Sequence, residues 1–375
     1  MKEDVASRET PDRFIVVDQT HMGRRASGIE RITRELFSSE ALAPLQARKT
    51  ASASGRLAMM FNQMIVNPAR AAIRPHDVWI FPGYPPSPVF LLLGCAKVLY
   101  VHDLFLMTRP DDLNWAAKLY MALPFRLAVR RFHYFFVNSL TTGRQLAAVA
   151  RQDARIMPFR PPASNVLGLT PEHPALARSP DGPLILGTLG TVEPRKNFIA
   201  AAEIARTLSQ ALNRKVQLHI VGRPGWGKDY EQLQSMPDVE LHGFVPDAMM
   251  PSLVAKWDAF LCCSHDEGLG LPLLEMQHAG LPIIAPDQEI FHEVLGASGA
   301  YIQPNEPRES AAVIADIIGA PNWRDRCAKL ARENITRWNK LAEEDRRNAI
   351  AFLSNLWCGG TLSDPIGAGS AHTAG

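Results

Sequence analysis

Two glutamates and two glycines follow one another closely in the stretch from Glu267 to Glu275. The apolar run 259–263 directly before it has the length and composition of a buried parallel strand. Gly268 and Gly270 interrupt any helix at this point, so we expect Glu267 to lie in a loop. Free backbone amides where the next helix begins, next to glycines that allow close approach, form a ready site for a phosphate or diphosphate.

The helix after this loop is expected to begin near Pro272, because proline suits the first helical position, and to end at Gly280. Glu275 then lies in the first turns of that helix. A single glutamate there more often serves only as a favourable partner of the helix dipole. Its combination with Glu267 and the glycines between them is what indicates a chemical site.

Two neighbouring cations, Arg195 and Lys196, follow the strand-like run 184–189 and the glycine Gly190. In open α/β sheets, ligands bind outside the carboxyl ends of the strands, so residues in such loops are informative. The two cations either neutralise a diphosphate or are simply solvated near a helix start, and the sequence leaves both interpretations open. The glycine-rich run 222–227 has the wrong spacing for a dinucleotide fingerprint and is more typical of a turn.

A histidine and an aspartate, His102 and Asp103, end a strand-like run in the first half of the chain. Such a pair orients hydroxyl groups or exchanges protons, or else it is a hydrogen-bonded structural pair. Gly28 and Arg31 begin the first helix of the same half, where the glycine permits close approach. A plain surface arginine accounts equally well for Arg31.

The elements that must position these residues alternate between strand and helix. At 375 residues the chain exceeds the size at which one hydrophobic core stops growing, which predicts two domains. The alternation predicts an α/β fold with doubly wound parallel sheets. The predicted strands are 13–18, 78–81, 96–101, 134–137, 184–189, 216–221, 239–241, 259–263 and 282–285. The predicted helices are 28–37, 114–129, 141–150, 197–212, 228–236, 251–256, 273–279, 310–318, 323–334 and 341–357.

A region rich in proline and small residues, 158–183, interrupts all periodicity and is predicted to connect the domains. The predicted division comprises an N-terminal domain 1–165, a linker 166–183, a C-terminal domain 184–340, a closing helix 341–357 and a disordered tail 358–375.

The amino-acid composition excludes several classes of protein. With 46% hydrophobic and 21% charged residues and a formal charge of +2, nothing suggests a disordered, fibrous or nucleic-acid-binding chain. The five cysteines include no C-x-x-C pair and are odd in number, which favours neither zinc nor a disulfide framework and fits a reducing cytoplasm. The run 1–13 lacks a signal-peptide core, and the apolar run 88–101 is too short to span a bilayer.

Taken together, these motifs resemble glycosyltransferase family 4, the retaining nucleotide-sugar transferases of GT-B fold, in which two Rossmann-like domains face a cleft. The resemblance covers residues 14 to about 338 and is stronger in the second half. It rests on Gly28-Ile29-x-Arg31, Val101-His102-Asp103-Leu104, Val137-Asn138-Ser139-x-x-Thr142, Gly190 through Asn197, His219-Ile220-Val221-Gly222, Leu241-His242-Gly243-Phe244-Val245, Glu267-x7-Glu275 and Ala279-Gly280-Leu281-Pro282-Ile283-Ile284.

The resemblance implies a role for each matching residue. Glu267 stabilises the hydroxyls and developing positive charge of the transferred sugar, Glu275 binds the ribose, and Lys196 neutralises the leaving diphosphate. His102 lies at the sugar. The residues implied to contact the donor or the acceptor are Gly190, Thr191, Gly243, Phe244, Gly268, Leu269, Gly270 and Leu271 on the donor side, and Gly28, Arg31 and Asp103 on the acceptor side.

One departure from the family pattern concerns the second cation. Relatives carry arginine directly after the glycine of the lysine-bearing loop, where this chain has Thr191. Arg195 is the candidate replacement. No nucleophile opposite Glu267 is evident, so the resemblance favours a front-face mechanism in which the leaving phosphate helps take the acceptor proton. No Asp-x-Asp stands at a strand end, so we expect no metal and no cofactor.

Substrates are predicted more loosely. The chain is similar to bacterial mannosyltransferases of exopolysaccharide and lipopolysaccharide assembly, which implies GDP-mannose as donor and a lipid-linked saccharide as acceptor. The segment 124–132 mixes bulky apolar and basic residues, and nine cations stand against three aspartates between Arg109 and Arg160. This pattern suits a helix on the cytoplasmic surface of the inner membrane, or an ordinary helix with a basic solvated face. A UDP- or dTDP-sugar donor, a GT-B epimerase and a non-catalytic nucleotide-sugar-binding subunit remain alternatives.

Overall fold

The computed structural model describes residues 13–23, 28–53, 55–108, 118–171 and 182–358, which form two compact units. The first unit runs to Asn138, resumes at Thr142–Pro161 and includes the chain from Glu344 onward. The second comprises Ser139–Thr141 and Pro162–Glu343. The division therefore falls at residues 161–162, and the predicted linker 166–183 lies within the second unit where it is described.

The first unit is built around parallel strands in the order β2-β1-β3-β4-β5-β6. The central strands are apolar apart from Lys97 near the start of β4, as is typical of parallel strands covered on both faces. The strands are β1 (Ile15–Val17), β2 (Ala47–Lys49), β3 (Val78–Phe81), β4 (Ala96–Val101), β5 (Tyr134–Val137) and β6 (Arg155–Pro158). The helices are α1 (Gly28–Phe37), α2 (Arg56–Phe61), α3 (Asn67–Ile73), α4 (Phe105–Thr108), α5 (Leu123–Arg131) and α6 (Leu140–Ala147).

Two π-helical stretches extend these helices, and a separate 3₁₀ turn lies between β3 and β4. Asn62–Val66 joins α2 to α3, Lys118–Ala122 precedes α5, and the 3₁₀ turn spans Pro88–Leu92. The side chains of Trp79, Phe81, Phe90 and Phe135 are buried together in one apolar cluster. Large aromatic side chains thus supply much of the core of this unit.

The second unit has a parallel sheet of the order β12-β11-β10-β7-β8-β9. Its strands are β7 (Leu184–Leu189), β8 (Val216–Val221), β9 (Val239–Gly243), β10 (Ala259–Leu261), β11 (Ile283–Pro286) and β12 (Gly299–Ile302). Its helices are α7 (Phe198–Leu212), α8 (Asp229–Gln234), α9 (Met250–Val254), α10 (Leu271–Gln277), α11 (Glu289–Leu295), α12 (Pro307–Gly319) and α13 (Trp323–Trp357). Apolar clusters lie on both faces of the sheet.

Close packing fixes one glycine in the middle of β7. A Cβ atom on Gly187 would stand 2.0 Å from the indole of Trp257, which is buried against the sheet. Only glycine fits there, because heavy atoms cannot approach so closely. The indole therefore lies directly against the β7 backbone.

The last helix corrects one prediction. Two helices, 323–334 and 341–357, were expected, whereas α13 is one continuous helix of 35 residues. Trp338, in the expected break, is fully buried in the core of the second unit, and this burial favours the helical path through residues 335–340.

Most other predicted elements are confirmed within one to three residues. The elements that sequence analysis missed are β2, β6, α2, α3, α4, α11 and β12. Several expectations concern residues outside the described ranges. They are the run 1–12, the helix portion 114–117, part of the proline-rich region and the tail from residue 359.

Candidate active site

Two loops of the second unit meet where the strand order reverses. β10 pairs with β7, with Ala259 opposite Leu186, while β8 and β9 lie on one side of this pair and β11 and β12 on the other. The loops that leave β7 and β10 therefore run in opposite directions and open a crevice at the carboxyl ends of the strands. A backbone hydrogen bond from the His265 N–H to the Arg195 carbonyl, 2.9 Å long, ties the two loops together.

Glu267 lies at this crevice and is held by three side chains. Its Oε1 accepts hydrogen bonds from Lys196 Nζ at 2.5 Å and from Ser264 Oγ at 2.8 Å. Its Oε2 stands 3.2 Å from a guanidinium nitrogen of Arg195. The glutamate side chain is only 10% exposed, so these contacts replace most of its hydration.

The two cations decide the charge state of Glu267. Burial by itself raises the pKa of a carboxyl group, but Lys196, Arg195 and the hydrogen bonds from Lys196 and Ser264 together hold the pKa of Glu267 below its ordinary value. Glu267 is therefore a carboxylate at neutral pH. In this state it stabilises positive charge and accepts hydrogen bonds, and it has no proton to donate.

Arg195 connects three groups of this site. Besides Glu267, its guanidinium bonds the Asp266 carbonyl at 3.1 Å and the Glu193 carboxylate at 2.9 Å. The arginine proposed from the sequence as the second cation thus lies beside Lys196 on the same carboxylate. Thr191, at the position where relatives carry arginine, is exposed.

Three glycines bring the loops after β7, β8 and β9 into contact. A Cβ atom on Gly222 would stand 1.7 Å from the Gly190 carbonyl oxygen, and the Gly222 N–H donates to the Gly243 carbonyl at 2.8 Å. Gly190 has a φ of 146°, and a Cβ atom there would lie 3.0 Å from Lys196 Cε. A side chain at Gly222 would therefore separate the loops, and one at Gly190 would displace the lysine. The glycine-rich run 222–227 is thus a packing element of the site.

The turn into α10 follows the predicted plan. Gly270 precedes the helix in the left-handed region with a φ of 78°, and Pro272 lies in the first helical turn. Leu269 is buried and anchors the turn, while Glu275 lies within α10 with a half-buried side chain. Directly after β9, Phe244 is exposed and the guanidinium of Arg223 lies 4.4 Å from its ring centre.

His102 belongs to the first unit and is held by close packing. Its Nε2 donates a hydrogen bond of 2.9 Å to the Pro82 carbonyl, which places the proton on Nε2 in the neutral ring. A Cβ atom on Gly83 would stand 2.8 Å from this nitrogen and 2.5 Å from Ile29 Cγ2. Burial lowers the pKa of His102 to about 4 against the opposing effect of the Pro82 bond, so the imidazole is neutral at neutral pH.

The other candidates of the first unit have local partners. The Asp103 carboxylate accepts a 3.0 Å bond from the Phe105 N–H at the start of α4. Gly28 is the first residue of α1, next to the Ile29 side chain that packs toward Gly83 and His102. Arg31 pairs with Glu35 at 3.2 Å one turn further along α1. These contacts define positions, and the acceptor-side roles of the three residues stay predictions.

Sequence reasoning assigned no role to three residues that shape these sites. Ser264 and Glu193 bond Glu267 and Arg195, and Gly83 makes room for His102. Ser264 stands three residues before Glu267 in a glycine-bearing turn, a spacing from which a side-chain contact is predictable. Gly83 gives no such signal, because its neighbours come from distant parts of the chain.

Two Rossmann-like units with parallel sheets, one of which carries a carboxylate–cation cluster at its switch point, define the GT-B class of glycosyltransferase folds. Solved structures of this class are similar over nearly the whole chain. HepE of Anabaena in complex with UDP and glucose aligns with a TM-score of 0.65 and 16% identity over 92% of this chain and 100% of its own. WaaG, a glycosyltransferase involved in lipopolysaccharide biosynthesis, aligns with a TM-score of 0.64 and 15% identity over 91% and 100%.

Residues 170–334 match the family described as Glycosyl transferases group 1. O-antigen chain mannosyltransferase B of Escherichia coli is 30% identical over 36% of this chain and 37% of its own. A D-inositol 3-phosphate glycosyltransferase of Thermomonospora curvata is 26% identical over 66% and 56%. Matches to the serotype-specific mannosyltransferase WbdA of Escherichia coli span only about a fifth of that protein.

Proposed function

We propose that the protein is a retaining hexosyltransferase that moves mannose from GDP-mannose onto a polyprenyl-diphosphate-linked saccharide in bacterial surface or exopolysaccharide synthesis. The observation that carries the proposal is the Glu267 carboxylate, which is buried, ionised and paired with two cations at the carboxyl end of β10. The group 1 domain and the mannosyltransferase names of several relatives support it.

The chemistry of glycosyl transfer requires charges of both signs. When the bond between the anomeric carbon and the diphosphate oxygen breaks, positive charge develops on the sugar and negative charge on the leaving group. A fixed carboxylate stabilises the first and fixed cations stabilise the second. We assign the sugar to Glu267 and the diphosphate to Lys196 and Arg195, with the amides of residues 268–271 as further donors. Glu275 is assigned to the ribose.

Retention of configuration follows from a front-face route. The acceptor hydroxyl oxygen bonds to the anomeric carbon on the face from which the diphosphate departs, and the hydroxyl proton passes to a phosphate oxygen of the leaving group. Glu267 suits this route because it is a carboxylate at neutral pH and remains one throughout. The two adjacent cations supply the positive charge that a metal otherwise provides, so we propose that transfer needs no metal or other cofactor.

The relatives differ in the substrates that their names and complexes indicate. Mannose is favoured by the O-antigen relatives, whereas HepE is described with UDP-glucose and the D-inositol 3-phosphate glycosyltransferases name another acceptor. The loop positions that we assign to the donor are mostly backbone groups, which bind the diphosphate of any nucleotide sugar. A UDP- or dTDP-sugar is therefore the alternative donor that the experiment must distinguish from GDP-mannose.

Membrane association is proposed from the surface of the first unit. Most apolar side chains of helix α5, including Phe125 and Val129, are buried, whereas Arg126, Arg130 and Arg131 are exposed. We therefore propose that this helix contributes to lipid binding through its positive charge. No helix among the described residues is long and apolar enough to cross a bilayer.

Exposed apolar side chains lie on the elements around this helix. Tyr120 donates a hydrogen bond to Gln63, which joins the two π-helical stretches. Those stretches and their flanking helices expose Leu57, Phe61, Ile65, Leu119 and Leu123. An apolar surface next to exposed arginines suits the headgroup region of an anionic membrane, and we propose that the protein binds the cytoplasmic face of the inner membrane there.

The experiment is a donor and acceptor panel. Purified full-length protein is incubated with labelled GDP-mannose, UDP-glucose and dTDP-sugars, with and without polyprenyl-diphosphate-linked saccharides, and organic-phase products are separated. We expect label in the lipid phase with GDP-mannose only, and retained anomeric configuration by NMR. Lipid-phase label from another donor overturns the mannose assignment. Release of free nucleotide and sugar, with no lipid-phase label from any donor, overturns the transferase assignment in favour of an epimerase-like activity.

A further inference from the structure

Two histidines and a glutamate converge at the β8–β9 edge of the second unit. His219 lies in β8, and Glu240 and His242 lie in β9. The His219 Nε2 stands 3.2 Å from Glu240 Oε2, and His242 Nδ1 stands 3.6 Å from Glu240 Oε1. One ligand atom from each residue falls within 4.8 Å of the other two.

Strand pairing brings these side chains together. His219 is the register partner of Glu240 in the parallel pair, and directly opposite residues point the same way. In β9, His242 is the extra residue of a register irregularity, since Ile220 pairs with Leu241 and Val221 pairs with Gly243. This irregularity brings the second histidine toward the first, with ring centres 4.8 Å apart.

The separations match those between ligands of a small divalent metal. Zinc binds histidine nitrogen and carboxylate oxygen at about 2.0–2.2 Å in tetrahedral geometry, which puts neighbouring ligand atoms about 3.4 Å apart. The two nitrogen–oxygen separations, 3.2 Å from His219 to one Glu240 oxygen and 3.6 Å from His242 to the other, lie close to that value. Two imidazoles and one carboxylate are also ligands that zinc prefers, and Ca²⁺ and Mg²⁺ favour oxygen ligands instead.

The three side chains differ in solvent exposure, which leaves a path by which a metal ion can enter. The His219 side chain is 6% exposed and that of His242 is 17% exposed, whereas Glu240 is 55% exposed. The carboxylate side thus opens to solvent, from which water would supply a further ligand to a bound metal. The pair of imidazoles forms the fixed, largely buried side.

We propose that His219, Glu240 and His242 form a Zn²⁺ site that fastens the edge strand β9 to β8. β9 is the last strand in the described order of its sheet, so one of its edges is unpaired there. The carbonyl of Gly243 at its end accepts the hydrogen bond from Gly222, which packs against Gly190 beside Lys196. The site is structural and separate from the transfer chemistry proposed above.

The test uses the full-length chain without a polyhistidine tag, stripped with a chelator and titrated with Zn²⁺ by calorimetry and with Co²⁺ by visible absorption. We expect one equivalent of Zn²⁺ at micromolar concentrations, intense tetrahedral Co²⁺ bands, a higher melting temperature with Zn²⁺, and no response to Mg²⁺. Glu240→Gln and His242→Ala lie at partly open positions and should lower the affinity by at least tenfold.

The matched control is His292→Ala, because His292 is also a histidine paired with a carboxylate, Asp287, at 2.6 Å, and it lies outside the cluster. This variant should bind Zn²⁺ like the unaltered protein. Circular dichroism of each variant without metal establishes that it is folded. Absence of stoichiometric binding to the unaltered protein, or equal affinity in His242→Ala, overturns the site. Because metal binding is read directly, either result is independent of whether the donor assignment holds.

Discussion

The surroundings of Glu267 stabilise a buried charge, whereas those of His102 stabilise a neutral ring. Glu267 is kept charged while buried, by Lys196, Arg195 and Ser264. His102 is kept neutral by burial and by one hydrogen bond to a backbone carbonyl. The first site is built from compensating charges, and the second from close packing around Gly83. We therefore expect substitutions to act through the negative charge at Glu267 and through the neutral ring at His102.

The largest effect is expected from Glu267→Gln. The amide keeps the shape of the side chain but removes the negative charge, so stabilisation of the developing positive charge is lost. We expect kcat to fall about 100- to 1,000-fold, with nucleotide affinity changed less than threefold. Turnover with the active donor and calorimetric binding of the nucleotide measure the two quantities. Glu203→Gln, at an exposed glutamate paired with Arg206, is the matched control. Unaltered turnover in Glu267→Gln would remove Glu267 from the mechanism.

Lys196→Ala is expected to rank second. Loss of the ammonium group removes a cation from the diphosphate and should lower kcat about 100-fold. It also removes the main opposition to the effect of burial, so the pKa of Glu267 rises and the acid limb of the pH–rate profile moves to higher pH. Arg195→Ala should cost about tenfold, because the arginine is shared with Glu193 and the Asp266 carbonyl. Equal losses of kcat in Lys196→Ala and Arg195→Ala would contradict the larger contribution that we assign to Lys196.

A smaller effect is expected at His102. With a pKa of about 4 the imidazole is neutral between pH 5.5 and 8, so the unaltered enzyme should show no rate inflection near pH 6.5. His102→Gln retains a donor for the Pro82 carbonyl and should lower kcat by about tenfold or less. The pH–rate profiles of both proteins provide the measurement. An inflection near pH 6.5 that disappears in His102→Gln would show that the ring titrates during turnover.

The smallest expected effect is on stability, at Gly83. An added Cβ atom overlaps Ile29 Cγ2 and His102 Nε2, so Gly83→Ala should destabilise the protein by about 1–3 kcal/mol. Denaturant unfolding measures the change. Gly94→Ala, where a Cβ atom would meet nothing within 4 Å, is the control and should be nearly neutral. Equal stability of the two variants would argue against a packing origin for the His102 site.

The two sites also differ in how far the sequence predicts them. At the Glu267 site, strand, glycines, cations and glutamates lie in short runs, and the rule for the carboxyl ends of parallel strands brings the runs together. Packing of Gly83 and Ile29 against His102 joins segments far apart in the chain, and no local pattern reports it. In the fold, the edge strand β2 carries Arg48 and Lys49 in exposed positions and lacks the apolar signal of a strand. The charges of Glu267 and His102 depend on burial, which only coordinates supply.

The 35-residue helix α13 has a consequence for how the protein is made. Residues from Glu344 onward belong to the first unit, where Asp345 pairs with buried Arg160 at 2.7 Å and Phe352 packs on Tyr134 and Phe136. Trp357 donates a 2.8 Å bond to the Arg13 carbonyl. On the ribosome, therefore, the core of the first unit is complete only after the residues from Glu344 to Trp357 have been translated. A fragment that stops near residue 161 would be released with that aromatic surface uncovered.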